Sequence, residues 1–362
     1  MDMKRDYYED IRLFDSATKR VWFILLIIAL TAIPFVLPGH YLNSINYMFI
    51  NIIVSVGLGI LVGYTGQVSL GHAGFFAVGA YTATLLMNAF PSMPFIIALI
   101  AAGCVASVFG FILGLPSLRL EGPYLAIATL GFGMAVIQVL GRFQFFGGRN
   151  GLMVPDIGFL TGSLAGTGYL SINEARDINM YIIITVIMII MVIAARNIVK
   201  TRVGRAFIAI RDDDIAAQSM GVNLVLYKTL SFAVSAFYTG IAGGLYAFWL
   251  GYINPDSFDF ILSVLFLAMV VVGGVGSFIG SIFGAIVISF LNLNLKQDSL
   301  ARIPLIGSGL EYLTEKFMHI GGLASVSFII FGLILILIVV FEPLGLYGFW
   351  IRIKKYWKTW PF

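Results

Sequence analysis

The sequence predicts an all-α, polytopic membrane bundle of about ten transmembrane helices, with both termini on the cytoplasmic side. Three observations predict it. Of 362 residues, 60% are hydrophobic and 11% are charged, with a mean hydropathy of +0.98. Soluble domains hold roughly 45–50% apolar and about 25% charged residues, and a soluble interior has no room for the excess. The apolar residues fall in successive runs, most near the length of a bilayer's hydrocarbon core. The basic residues are biased towards one side of an even number of crossings.

Residues 1–20 form a cytoplasmic N-terminal segment that mixes charges with Tyr7, Tyr8, Ile11, Leu13 and Phe14. They read as a short helix on the membrane surface or as a disordered tail. The first crossing is about 21–37, ended by Pro38-Gly39 and read as uncleaved because no small-residue cleavage site follows it. The second is about 47–62. The third begins within Gly63–Tyr81 and runs to about 90, where Pro91 and Pro94 mark a turn. The fourth is about 95–115. Pro123 suits the first turn of the fifth, which ends near 140. A polar, Gly-rich loop covers 142–178, and the sixth crossing is about 180–195. A second polar segment spans 196–226. The seventh crossing, about 227–250, leads through GYINPDSFDF to the eighth and ninth, about 261–272 and 278–291, which are joined by GGVGS. A third polar loop, 292–324, precedes the tenth, about 325–341.

A basic, aromatic cytoplasmic tail, 342–362, places Trp350, Tyr356, Trp357 and Trp360 as an anchor at the inner interface. The transmembrane domain is thus 21–341. With the N-terminus inside, 16 of the 22 Lys and Arg residues fall on the inner side. A re-entrant eighth and ninth pair would give eight crossings with the same sidedness.

Composition also excludes chemistry. A lone Cys104 permits no internal disulfide and no cysteine metal site, and His40, His72 and His319 are too scattered for a metal centre. A net charge of +4 points to no nucleic-acid partner. No phosphate-binding loop of the form G-x-x-x-x-G-K-[ST] is present, so the chain is not itself an ATPase. The interior of the crossings lacks carboxylates, which disfavours a proton- or sodium-coupled carrier. The energy for uphill transport is therefore expected from outside the chain.

Two stretches carry the functional signal. GYTGQVSLGHAGFFAVGAY, 63–81, puts Gln67, Ser69 and His72 among five glycines in a membrane segment. Ser69 and His72 read weakly as a nucleophile and base, since no second His or Asp supports them. They read better as the lining of a path or gate, or as polar glue between helices. Gly66 and Gly74 give close packing or a hinge. Gly276-Ser277, in the 273–285 segment, echoes Gly66, Ser69 and Gly74 and joins the candidate gate.

The second stretch is the inner segment around 200–223. Arg205–Met220 reads as one helix with Phe207, Ile208, Ile210, Ile215, Ala216 and Met220 on one side, and Gly221 stands at its C-cap. The run Asp212, Asp213, Asp214 disfavours anionic lipid. Docking into a groove on a soluble partner is preferred to a plain connector.

The combination GYTGQVSLGHAGFFAVGAYTA (63–83), RLEGPYLAIATLGFG (119–133), GGRNGL (147–152), RVGRAFIAIRDDDIAAQSMGVN (202–223) and LAMVVVGGVGSFIGSIFGA (267–285) strongly resembles the permease subunits of branched-chain amino acid ABC importers, most of all the M-type subunit. The resemblance runs from about Asn46 to Phe341. It implies a heterodimer with a related H-type permease, two cytoplasmic ATPase subunits carrying ATP and Mg, and an extracytoplasmic binding protein, in a bacterial inner membrane. It also implies that Gly204, Arg205, Ala206, Asp212, Asp213, Asp214, Ala216, Ala217 and Gly221 form the ATPase-coupling segment within the cytoplasmic loop 196–226. Urea and short-amide importers share this family, so cargo stays open. A lone secondary carrier or channel and a membrane hydrolase are the rivals from other classes.

Overall fold

In the computed structural model, residues 17–37, 39–120, 122–155, 172–296, 332–333, 336, 340–342 and 345–359 are described. The expected surface helix in 1–16, Glu121, the outer loop 156–171, most of the polar loop beyond 296 with His319, the greater part of the tenth crossing, and Trp360 lie outside them.

Nine helices lie where the first nine crossings are expected: α1 (Ala17–Val36), α2 (Gly39–Gly59), α3 (His72–Ala89), α4 (Phe95–Gly114), α5 (Pro123–Arg142), α6 (Ile172–Lys200), α9 (Leu224–Leu250), α10 (Phe260–Gly273) and α11 (Phe278–Lys296). Two short helices, α7 (Arg202–Asp212) and α8 (Asp214–Ser219), separate α6 from α9, and α12 (Gly345–Thr359) lies in the tail. Among the described residues, six segments are long and apolar enough to cross a membrane: 41–64, 95–118, 123–142, 176–200, 224–250 and 255–273. Shorter apolar stretches occupy 24–34 and 278–293. Helix α6 is longer than expected at both ends, because its polar first and last turns extend beyond the apolar run.

Helix α9 is the centre of the bundle, packed against α4, α3 and α2. Lipid tails are as apolar as the helices, so burial of apolar surface gives little drive for association here and close van der Waals packing must supply it. Small residues allow that approach. A side-chain carbon at Gly79 would collide with the Gly240 carbonyl, and one at Gly243 with the Phe76 carbonyl. Helix α2 is enclosed and is joined to α11 by polar pairs. Asn51 Nδ2 donates to Ser289 Oγ at 2.9 Å, Ser55 Oγ to the Ser281 carbonyl at 2.9 Å, and Asn292 Nδ2 to the Tyr47 hydroxyl at 3.2 Å.

The helix ends sort into two sets. At one end a two-residue antiparallel ladder pairs Leu152 with Ile253 and Met153 with Tyr252, beside Gly141, Pro255 and Asn88. At the other end residues 60–71, 115–120, 122, 201–223 and 274–277 gather with the first turns of α9. That second set holds Arg119, Arg202, Arg205, Arg211 and Lys228, so the alternation inferred from charge is the one the helices follow.

Candidate functional site

The inner end joins three pieces: the break between α2 and α3, the elbow formed by α7 and α8, and the turn between α10 and α11. The break starts with a wide helical turn over Ile60–Tyr64, after which the chain leaves helical geometry at Gly66 (φ +73°) and resumes it at His72. Neighbouring hydroxyls take up backbone donors freed by the break. Leu70 N donates to Thr129 Oγ1 and Ala73 N to Ser263 Oγ, both at 2.9 Å.

His72 is fully buried. Its Nδ1 lies 2.9 Å from Ser69 Oγ and its Nε2 lies 2.8 Å from Ser235 Oγ on α9. Both ring nitrogens are therefore occupied by hydroxyls, and Ser69 is sealed from solvent. A nucleophile needs an approach and a base needs an orienting acid, and this arrangement supplies neither. Its geometry is a polar clamp across α3 and α9. Gly74 lies at the α3–α5 seam, where a side-chain carbon would stand 2.9 Å from Gly133 Cα. Ser277 Oγ accepts from Gly280 N at 3.0 Å and starts α11.

The expected single helix over 205–220 is two helices, and Asp213 is the reason. Its extended backbone (φ −164°, ψ 114°) interrupts the ladder, and its Oδ1 accepts from Ile215 N at 2.8 Å and Ala216 N at 2.9 Å. A carboxylate that captures nearby N–H groups competes with the helix and caps a new one. The break divides the apolar stripe. Phe207 and Ile210 point inward with Ala206 and Ala217, and Phe207 meets Tyr227 edge to face. Ile215 and Met220 turn outward, 78% and 86% exposed, and Ile208 and Ala216 are exposed as well.

The acidic run is likewise divided. Asp213 caps α8, Asp214 forms an ion pair with the buried Lys228, and Asp212 faces solvent with Arg205. Gly204 makes the corner from α6, because a side-chain carbon there would strike the Val199 carbonyl. Gly221 (φ +87°) ends α8 as expected, with Val222 N donating to the Ala217 carbonyl at 3.0 Å.

Arg211 connects the three pieces. Its Nη1 donates to the Gly63 carbonyl at 2.8 Å, its Cγ is 3.6 Å from the side-chain position of Gly66, and Nη1 fills the side-chain position of Gly276 (φ +86°). Gly63 and Gly276 are themselves in contact, at 2.8 Å from the side-chain position of Gly63 to Gly276 N. A cleft of about 420 Å³ opens beside them, lined by Gln67, Ser117, Leu125, Asp212–Asp214 and Lys228 among others. Gln67 is buried and neither of its amide atoms has a partner.

Of the candidate gate residues, Gly66, Gln67 and Gly276 thus share one junction, while Ser69 and His72 sit in the clamp and Gly74 in a separate seam. Sequence reasoning missed Arg211, although it lies four residues after Phe207 on the inward side of α7. It also missed Ser235, Thr129 and Ser263, which nothing in the sequence sets apart from other hydroxyls. Among the described residues no group of His, Cys, Asp or Glu has the geometry to hold a metal.

The family described as the branched-chain amino acid transport system permease component matches residues 40–339. The chain is 33% identical over 288 residues to the high-affinity branched-chain amino acid transport system permease protein LivM of Salmonella typhimurium, which covers 75% of this chain and 68% of the relative. It is 34% identical, over the same shares, to the LivM of Escherichia coli. It is 23% identical over 331 residues to the probable branched-chain amino acid transport permease protein LivH of Methanocaldococcus jannaschii, covering 86% and 94% of the two chains. No solved structure matches the chain with significance.

Proposed function

The chain belongs to the family of branched-chain amino acid transport permease components, and from that premise we propose that it is the M-type membrane subunit of an ATP-driven importer of leucine, isoleucine and valine. In that reading it pairs with an H-type permease in a bacterial inner membrane. Two ATPase subunits, which carry the ATP and Mg, sit on its cytoplasmic end, and a binding protein delivers substrate from outside.

The observation that carries this reading is the elbow. The six-residue α8 and its C-cap present Ile215 and Met220 to solvent at the inner end, and the elbow is fixed to the bundle by the Asp214–Lys228 pair and by Arg211 of α7. An apolar knob on a rigid stalk suits a groove on a soluble partner. Burying two such side chains is worth about 2 kcal/mol each. Nucleotide-driven closure of the ATPases would move α7 and α8, and Arg211 would pass that movement to the backbones at Gly63 and Gly276.

The test is purification of the chain with its companions, followed by reconstitution. Retention of an ATPase pair and ATP-dependent leucine uptake support the proposal. Uptake by this chain alone, with no ATPase bound, would replace it with a secondary carrier. A co-encoded binding protein that holds urea or a short amide would keep the machine and change the cargo.

A further inference from the structure

Helix α12 keeps an apolar face exposed among the described residues. Its first residue, Gly345 (φ +63°), is seated on the inner turn. A side-chain carbon there would stand 2.5 Å from Gly274 N and 2.6 Å from the Val272 carbonyl. One and a half turns later Trp350 packs on Phe283 of α11, with ring centroids 6.1 Å apart, and Phe283 is itself 37% exposed on the outside of the bundle. These two contacts hold α12 at the edge of the inner leaflet.

Beyond them, Phe349, Ile353 and Tyr356 recur at i, i+4 and i+7, which places them in one stripe. They are 57%, 38% and 61% exposed. Lys354 flanks the stripe on one side and Lys355 lies on the face behind it, both exposed; Arg352 flanks it on the other side, exposed and ion-paired with Glu342 at 2.9 Å. An apolar stripe edged by long cationic side chains is the pattern of a helix lying in a membrane interface, with the stripe in the acyl boundary and the cations reaching headgroup phosphates. Cytoplasmic leaflets carry anionic lipid, and each nearby Lys or Arg adds to the attraction.

We propose that α12 is a binding site for anionic phospholipid, and that lipid held there sets the position of the 274–277 turn through the Gly345–Gly274 seat. That turn abuts Gly63 and Arg211, so the lipid acts on the same junction as the elbow. The lipid site stands on the geometry of α12 alone. Its effect on uptake rests on the transport reading above.

The experiment separates the two. The full chain, purified with its companions, is placed in nanodiscs of phosphatidylcholine with or without phosphatidylglycerol, and retained lipid is read by native mass spectrometry. The wild type is expected to enrich phosphatidylglycerol several-fold over phosphatidylcholine. The double variant Lys354→Gln, Lys355→Gln should lose that preference, and Lys354→Arg, Lys355→Arg should keep it. Equal retention of both lipids by the wild type, or an undiminished preference in the Gln variant, overturns the lipid site; capture of a soluble protein by the stripe in place of lipid overturns it too. Leucine uptake should rise several-fold with phosphatidylglycerol in the wild type and lose that dependence in the Gln variant. Uptake that ignores lipid while the preference persists overturns the link to the turn. No uptake in any lipid, with the preference intact, sinks the transport reading and leaves the lipid site standing.

Discussion

Arg211 Nη1 donates to the backbone carbonyl of Gly63 at 2.8 Å, and that bond runs from the elbow of α7 and α8 to the break between α2 and α3. A charged donor on a carbonyl is worth roughly 1.5–3 kcal/mol. The same guanidinium occupies the space a side chain would take at Gly276, so the elbow, the break and the 274–277 turn share one contact. In the proposed importer, Arg211→Gln should leave ATPase subunits bound and hydrolysing, while uptake falls about tenfold, the equivalent of about 1.4 kcal/mol. Equal loss of ATPase binding and uptake would show Arg211 to be merely structural. Gly276→Ala should give a similar loss from the other side, through its left-handed backbone and the occupied space.

Asp214 and Lys228 predict an asymmetry. Lys228 is buried and Asp214 is partly exposed. Removing the carboxylate strands a buried ammonium, whereas removing the ammonium leaves a carboxylate that water reaches. Asp214→Asn should therefore lower the thermal midpoint in detergent more than Lys228→Met does. The difference should be of the order of 1–2 kcal/mol after allowance for the exposed partner. The reverse ranking would mean that the pair does not fix α8 to α9.

His72, Ser69 and Ser235 predict non-additivity. His72→Leu leaves the buried Ser235 hydroxyl without its partner and Ser69 Oγ with only a long contact from Gly71 N at 3.4 Å, at a cost of about 1–3 kcal/mol for each group left unsatisfied. The triple variant Ser69→Ala, His72→Leu, Ser235→Ala removes all three polar groups and should be more stable than His72→Leu alone. Ser69→Ala should retain uptake. Loss of function in a well-folded Ser69→Ala protein would reopen a chemical role for the hydroxyl.

The bundle was legible because lipid demands long apolar runs, and six segments of the described residues leave one; α3, rich in small and polar residues, does not, and was placed by its neighbours. The sidedness was legible because Arg119, Arg205, Arg211 and Lys228 collect at one end. The packing seam was legible as glycines, though not their partners: which helix meets Gly79 depends on α9 being central, and no local signal sets its order. The elbow was read as one helix because apolar periodicity continues through Asp213. The capping role of a single carboxylate is a choice among three neighbouring aspartates that pattern alone does not make. Arg211 looked like one more surface cation until Gly63 and Gly276 were brought within its reach.

Glycines in the seam predict the sharpest contrast. At Gly79 an added methyl collides with the Gly240 carbonyl, and backbone cannot give way as a flexible side chain does. Gly79→Ala should force α3 and α9 apart and cost at least the 1–3 kcal/mol of an overpacked core. Gly74→Leu should do the same between α3 and α5, where Gly133 Cα and the Phe132 ring stand at 2.9 and 3.3 Å. Gly131 is also helical, on α5, and has nothing within 4 Å. There Ala should be neutral or stabilising by up to about 1 kcal/mol in the isolated chain, since it only restricts the unfolded state and favours the helix. Thermal midpoints of the three purified variants, with leucine uptake beside them, check the ranking. A Gly79→Ala protein as stable as Gly131→Ala would show that α3 and α9 do not meet backbone to backbone. A Gly131→Ala protein that is stable alone but deficient in uptake would mark that face of α5 as the surface the second permease covers.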